Sequence, residues 1–409
     1  MRKNEINKIL EAIFKEVETH DSLFVNASVD NGSMGVALLY FYYHSYNDKY
    51  EYLERGVDMI QKSIESLSTV SKEKYYEPSY KGDNIINVIS SFGKGLLFVE
   101  NKFNLDFDFH SYYNQLGDVL SASLEKQLQL GNFDYFSGAL APGHYFINSY
   151  YYRKDEHSKK MLIKIFNKLK LFAIKDLNEE VYWRSYAYNY TVYLGISHGS
   201  AMIINFICKL FDLKILYSQE DKNFLKSAMN FIVRKKRKDG DRGYFPNVYY
   251  KDKFDTNETQ IGMCYGDLGI LFVLCNAASI LGNSYLNADI HNMLYSYLEK
   301  PLDMKRTYDA GILYGASGIY WMFREMNERG ILNSCSTTAR FWYDQIFSFR
   351  DQNRRHYAGF LDAYKGMENE PNKSSMYSFL WGISGIAITL MAGQNRELPK
   401  INELTLLGI

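Results

Sequence analysis

Residues 265–275 read YGDLGILFVLC, a glycine-containing turn that leads directly into an apolar run. The same arrangement occurs seven times along the 409 residues, and the turns open at positions 32, 92, 138, 199, 266, 315 and 382. Each interval is long enough for two helices and their loops, and repetition at such a period is typical of stacked helical units. The repeat therefore predicts an all-α chain in which each apolar helix is buried and a more charged helix lies outside it.

Seven such units either stack in an irregular solenoid or close into a ring. A glycine at a helix start lets neighbouring chain approach closely, and helix starts present free N–H groups and the positive end of the helix dipole. Seven starts gathered around one axis would form a polar rim over an apolar barrel. We expect this closed form, an α/α toroid of seven inner and seven outer helices, as a single domain over residues 1–409.

Composition narrows the classes of function. Lys and Arg total 47, as do Asp and Glu, and this balance argues against a nucleic-acid partner. The four cysteines show no paired spacing, which excludes a disulfide scaffold or a zinc ribbon. The first residues lack a signal-peptide pattern, and the most apolar stretch, residues 262–282, contains Asp267 and several glycines, so no membrane span is expected. We expect a cytoplasmic chain with reduced thiols.

Several polar or aromatic segments interrupt the helical pattern. Residues 182–193, YWRSYAYNYTVY, predict an extended segment or an aromatic-rich loop. Long polar connections over residues 66–84, 234–260 and 350–375 have the length of lids or binding loops. The basic tract at 234–238 is either a solvated helix end or a grip on an acidic peptide.

Reactive side chains stand at the starts of three of the apolar helices. They are Asp134 in the third motif, His198 in the fourth, and Cys264 and Tyr265 in the fifth. If equivalent turns converge on one rim, these side chains share a cavity although they lie far apart in sequence. A histidine with a thiol and a carboxylate suits thiol chemistry, nucleophilic catalysis or metal binding. Taken singly, each is as well explained as a packed core residue.

The segments 195–199 (GISHG) and 264–269 (CYGDLG), together with the seven glycine motifs, resemble the lanthionine synthetase C-like cyclases. The resemblance spans nearly the whole chain and implies the α/α toroid. It also implies a reaction of lanthipeptide biosynthesis, the addition of a peptide cysteine thiol to dehydroalanine or dehydrobutyrine to close a thioether ring. A precursor peptide with cysteine and dehydrated Ser or Thr would be the substrate, and a dehydratase a possible partner.

The resemblance also implies roles for individual residues. Cys264 would be a zinc ligand, His198 a proton donor or acceptor, and Tyr265 and Asp134 further active-site residues. The sequence departs from the family where a Cys-His pair should complete the zinc site, because Leu313 and Tyr314 occupy those positions. A catalytic zinc needs about three protein ligands, so the site is degenerate and the cofactor is either none or zinc.

Two functions remain open after this departure. The chain is either a lanthionine-forming cyclase, working with or without zinc, or a catalytically inactive member of the family that binds or scaffolds a modified precursor peptide. Sugar chemistry is a weaker third possibility, because it would need two placed carboxylates. Asp134 and Asp267 are the candidates, but the helix dipole already explains an acidic residue such as Asp267 in a first helical turn.

Overall fold

The computed structural model describes residues 2–69, 84–103, 105, 109–237, 242–250, 257–282, 284–299, 306–331, 335–354, 356–360 and 374–409. Its helices are α1 (Arg2–Thr19), α2 (Ser33–Asn47), α3 (Tyr50–Ser68), α4 (Ile85–Lys102), α5 (His110–Leu130), α6 (Leu140–Arg153), α7 (Glu156–Phe172), α8 (Ser200–Asp212), α9 (Gln219–Arg234), α10 (Asp267–Leu281), α11 (Ser284–Glu299), α12 (Ala316–Glu328), α13 (Cys335–Gln345), α14 (Ser374–Tyr377) and α15 (Ile383–Gln394). The short strands are β1 (Ile174–Lys175), β2 (Val181–Tyr182), β3 (Val192–Tyr193) and β4 (Val248–Tyr249).

The inner helices form a closed ring. The order of contact is α2, α4, α6, α8, α10, α12 and α15, and α15 packs back against α2. The outer helices α3, α5, α7, α9, α11 and α13 each pack on the inner helix that precedes them in the chain, while α1 packs on α15. The predicted α/α toroid of seven inner and seven outer helices is therefore confirmed, with the N-terminal helix supplying the outer partner of the last inner helix.

Burial follows the two layers. In the inner helix α10 every residue from Asp267 to Ala278 is buried, whereas the outer helix α3 buries only the stripe that faces its partner. All four cysteines are buried and none forms a disulfide. Within the described part of the chain, no helix combines the length and the apolar character needed to cross a membrane.

Close backbone approach explains the glycine that opens most of the repeated turns. In six turns a Cβ on this glycine would lie only 1.9–2.6 Å from the carbonyl oxygen of the residue six positions earlier. The glycine and oxygen pairs are Gly32 and Asn26, Gly138 and Asn132, Gly199 and Tyr193, Gly266 and Gln260, Gly315 and Asp309, and Gly382 and Met376. The chain folds back on itself before each inner helix begins, and only a residue without a side chain fits there.

The second motif differs from the other six. Helix α4 begins at Ile85, and the side chain of Asn84 caps it by accepting a hydrogen bond from the Ile86 amide at 2.9 Å. Gly93 therefore lies inside the helix, and a Cβ there would meet the Tyr145 ring at 2.7 Å. The prediction of a helix start at residue 92 is wrong, because this glycine serves the close packing of α4 on α6 rather than a turn.

Gly266 is the position where an alanine should do most damage to the fold. It adopts φ 122°, ψ 178°, and a Cβ would lie 1.9 Å from the Gln260 carbonyl oxygen. We expect Gly266→Ala to lower the free energy of unfolding by about 3 kcal/mol, measured by urea denaturation. Gly282→Ala is the matched control, since Gly282 also has positive φ (61°) but nothing within 4 Å, and its cost should be about 1 kcal/mol. Equal losses in the two variants would contradict this account.

The C-terminal segment, residues 395–409, closes the end of the barrel where the inner helices finish. Side chains of inner helices donate hydrogen bonds to its carbonyl oxygens: Tyr42 to Pro399 at 2.8 Å, Asn148 to Glu403 at 3.3 Å, and Asn205 to Leu406 at 2.9 Å. Leu404, Leu406 and Leu407 are buried. The opposite end, where the helices begin, is therefore the end that bears the predicted site.

The structure describes parts of the three long polar connections. Residues 70–83, 238–241, 251–256 and 361–373 lie outside the described residues, so the prediction that they act as lids stays a prediction. In the basic tract, Arg234 donates two hydrogen bonds to Glu180, and Lys235 and Lys236 pair with Asp176 and Asp289. These charges are matched within the chain, which favours the interpretation as a helix end.

Candidate active site

Residues from the turns that lead into the inner helices meet at the rim where these helices begin. The His198 ring lies 5.9 Å from the ring of Tyr265, which stacks on Tyr314 at 6.2 Å with an interplanar angle of 5°. On the other side Phe136 lies 5.7 Å from His198 and 6.4 Å from Trp381. The turns of the third to seventh units thus converge, and the rim is lined largely by aromatic rings.

Asp134 and His198 form the polar centre of this rim. Asp134 Oδ2 lies 2.5 Å from His198 Nδ1, and both side chains are buried. The second oxygen, Oδ1, accepts hydrogen bonds from the Phe136 and Ser137 amides and from the Ser137 hydroxyl, each at 2.9 Å. The turn therefore fixes the carboxylate. A carboxylate oxygen accepts hydrogen bonds, so Nδ1–H of His198 donates to Asp134 and Nε2 is left for another partner.

Tyr188 is a residue of this site that the sequence analysis did not single out. Its hydroxyl lies 3.1 Å from His198 Nε2, and its side chain also hydrogen-bonds the Tyr265 side chain. Burial, reinforced by the negative charge of Asp134, raises the pKa of Tyr188, so the hydroxyl stays protonated and can donate. The only signal for Tyr188 in the sequence was the high density of tyrosines in residues 182–193. This segment forms a loop rather than a long strand.

A second segment supports the loop that carries Tyr188. Strand β3 pairs antiparallel with β4, with Val192 opposite Tyr249. The segment leading to β4 is anchored by Asp267, whose carboxylate accepts hydrogen bonds from the Tyr244 and Phe245 amides at 2.7 and 2.8 Å. Asp267 also pairs with Arg306 at 3.2 Å and is fully buried. The Asp267 carboxylate therefore holds this segment in place and is not a second carboxylate at the rim.

Cys264, in the fifth motif, forms hydrogen bonds with residues of the fourth and sixth motifs. Its amide donates to the Leu313 carbonyl at 3.0 Å, and its own carbonyl accepts from the Ser197 hydroxyl at 3.2 Å. The side chain is 1% exposed, and burial raises the pKa of the Cys264 thiol to about 12 despite side-chain hydrogen bonds from Ser197 and Tyr314. Cys264 is therefore a neutral thiol at neutral pH.

The donor set around Cys264 does not fit a zinc ion. Its neighbours from the sixth motif are Leu313, which offers no donor atom, and Tyr314, whose ring stacks on Tyr265. Across the described ranges, no three His, Cys, Asp or Glu side chains are grouped so that they could hold a metal. Because zinc sites are built from about three protein ligands or more, the described residues around Cys264 do not form one.

The chain is similar in sequence to one protein family and in fold to a solved structure. A family model described as lanthionine synthetase C-like protein matches residues 23–406. Among solved structures, nisin cyclase superposes with a TM-score of 0.70 at 15% identity, covering 99% of this chain and 98% of that one. A cellobiose 2-epimerase from Bacillus thermoamylovorans gives a TM-score of 0.47 at 9% identity, with coverages of 83% and 100%. No curated protein sequence matches the chain.

Proposed function

The chain belongs to the lanthionine synthetase C-like family, and we propose that it is a peptide cyclase that closes thioether rings without a bound metal. The substrate is a precursor peptide with a cysteine and a dehydroalanine or dehydrobutyrine, the residues that a dehydratase makes from Ser and Thr. The observation that carries the proposal is the buried Asp134–His198 pair at the rim, with Oδ2 and Nδ1 2.5 Å apart. We place the activity in the cytoplasm, where cysteine thiols are kept reduced.

Thioether formation needs one proton removed and one proton returned. The thiol loses its proton, sulfur bonds to Cβ of the dehydro residue, and the π electrons move to the carbonyl oxygen as an enolate. Protonation at Cα then restores the carbonyl. Because the two proton transfers balance, one histidine can serve both steps, as base in the first and as acid in the second.

His198 is arranged for that double role. Its Nδ1 proton is held by Asp134, so Nε2 accepts the thiol proton and Asp134 stabilises the resulting imidazolium by charge. The ordinary thiol pKa of about 8.5 lies close enough to that of imidazole, about 6.5, for this transfer to proceed without metal activation. Tyr265 lies beside the imidazole and hydrogen-bonds the Tyr188 side chain, which fixes the positions of both phenol groups next to His198.

A second function is favoured by the surroundings of Cys264. Leu313 and Tyr314 give this part of the rim apolar and aromatic contacts, which suit binding of a peptide more than activation of its thiol. In that case the chain is an inactive family member that holds a modified precursor.

The test is a cyclisation assay on synthetic peptides with one dehydroalanine and one cysteine three residues apart. Ring formation removes the alkylatable thiol without changing the mass. We expect the protein to accelerate this loss over the buffer rate, and the acceleration to persist in EDTA. Saturable binding with no acceleration would establish the binding function instead, and an acceleration abolished by EDTA and restored by zinc would overturn the metal-free mechanism.

A further inference from the structure

We propose that Tyr188 is a catalytic residue of this site, carrying the substrate proton between the thiol and His198. The inference rests on the proposed cyclase function and adds a residue to it. Nδ1 of His198 is bound to Asp134, so Nε2 is the nitrogen through which the imidazole exchanges a proton with the substrate. That nitrogen already has a partner, the Tyr188 hydroxyl at 3.1 Å.

Tyr188 covers the His198 imidazole on the side of Nε2. Its ring packs over the imidazole with centroids 4.6 Å apart at an angle of 60°. His198 is only 9% exposed, whereas Tyr188 is half-buried. A substrate thiol approaching the imidazole therefore meets the phenol oxygen before it reaches Nε2.

The loop that presents Tyr188 is held in a costly conformation. Tyr188 ends a short 3₁₀ helix, and the next two residues, Asn189 and Tyr190, both have positive φ, 51° and 58°. The loop is closed by hydrogen bonds from the Ser185 amide to Thr191 at 2.8 Å and from the Tyr190 amide to Ser185 at 2.9 Å. A left-handed conformation at a bulky residue such as Tyr190 costs about 1–2 kcal/mol, and such strain clusters at functional sites.

The proton transfers balance at each step. As sulfur bonds to Cβ, the thiol proton passes to the Tyr188 oxygen while the phenol proton passes to Nε2, which leaves an imidazolium and an enolate. The phenol then gives its proton to Cα and takes one back from Nε2. The S–H bond and the π bond of C=C are replaced by S–C and C–H bonds, the tyrosine and histidine return to their starting states, and no oxidant or reductant is needed.

A phenol suits this role because the residue never has to carry a charge. Burial and the negative charge of Asp134 hold the pKa of Tyr188 above its ordinary value, so it would be a poor base by itself. In a relay one proton arrives as another leaves. His198 carries the positive charge as imidazolium, and the negative charge of Asp134 stabilises it.

The variant that tests the relay is Tyr188→Phe, assayed on the dehydroalanine–cysteine peptide. We expect kcat to fall about 100-fold, the lower end of what acid–base catalysis contributes, with KM within about twofold of wild type. Tyr193→Phe is the matched control. Tyr193 lies in β3 next to this loop, its ring is also close to His198, at 6.3 Å, and its hydroxyl makes no hydrogen bond to the described residues; kcat of this variant should stay within about twofold of wild type.

A second measurement needs no variant. The single-turnover rate of the wild type is measured in mixtures of H2O and D2O. Its dependence on the D2O fraction should indicate that two protons move in the rate-limiting step, whereas direct transfer to Nε2 would involve one proton. A wild-type kcat in Tyr188→Phe, or a dependence on D2O that indicates one proton, would overturn the relay. If His198→Ala were inactive in the same assay, the cyclase function would still stand. If His198→Ala and Tyr188→Phe both kept the wild-type rate, the rim would not be the catalytic site; if the wild type gave no acceleration over the buffer rate, the proposed function itself would be wrong.

Discussion

His198→Ala should reduce the rate of ring closure about 1,000-fold, because it removes the group that both accepts and returns the proton. The measurement is the loss of alkylatable thiol from the dehydroalanine–cysteine peptide under single-turnover conditions. The variant also leaves the buried carboxylate of Asp134 without its partner, 2.5 Å away in the wild type. A loss of stability of about 1–3 kcal/mol is therefore expected as well.

His198→Gln separates the chemical effect from the structural one. A glutamine amide can donate a hydrogen bond to Asp134 but cannot carry a proton between base and acid steps. This variant should be as inactive as His198→Ala while its urea midpoint lies closer to wild type. Asp134→Asn should cost about 100-fold or more, since the imidazole loses both its orientation and the charge that balances imidazolium. Wild-type rates in both histidine variants would show that the rim is not the catalytic site.

The second large effect is the gain of a metal site in the double variant Leu313→Cys, Tyr314→His. The Leu313 carbonyl lies 3.0 Å from the Cys264 amide, and the Tyr314 side chain hydrogen-bonds Cys264. The substitutions would place a thiolate and an imidazole beside an existing thiol, a set of three ligands with an open position. We expect about one zinc per chain with micromolar affinity or better, corresponding to about 8 kcal/mol, and we expect no stoichiometric zinc in the wild type.

Metal analysis after gel filtration measures this gain, and the thiol of Cys264 reports on it independently. Zinc binding deprotonates a coordinating thiol, so a Cys264 thiol whose pKa burial raises to about 12 should become a thiolate. Adding Cys264→Ala to the double variant is the control, and it should abolish stoichiometric zinc. A double variant that stays free of metal would show that the sixth motif does not present these side chains to Cys264.

The toroid could be predicted from the amino-acid sequence, because the signals that specify it are local. Apolar residues at helical spacing and a glycine at each fold-back can be recognised without knowing the partner helix, and seven repeats of that pattern favour a closed ring. Gly93 is the exception, and it shows where local signals are insufficient. Gly93 resembles a turn glycine in sequence, but its role is set by Tyr145, 52 positions away, whose ring a Cβ would meet at 2.7 Å.

The repeat also suggested that Asp134, His198, Cys264 and Tyr265 share one rim, since equivalent turns of a ring face the same axis. Only the tertiary structure revealed Tyr188 against Nε2 and Asp267 as the anchor of the supporting segment. Neither residue has a local pattern that marks its role. Tyr188 is one tyrosine among several in its loop, and the partners of Asp267 are backbone amides more than 20 residues away, so their roles depend on contacts that exist only after the ring has closed.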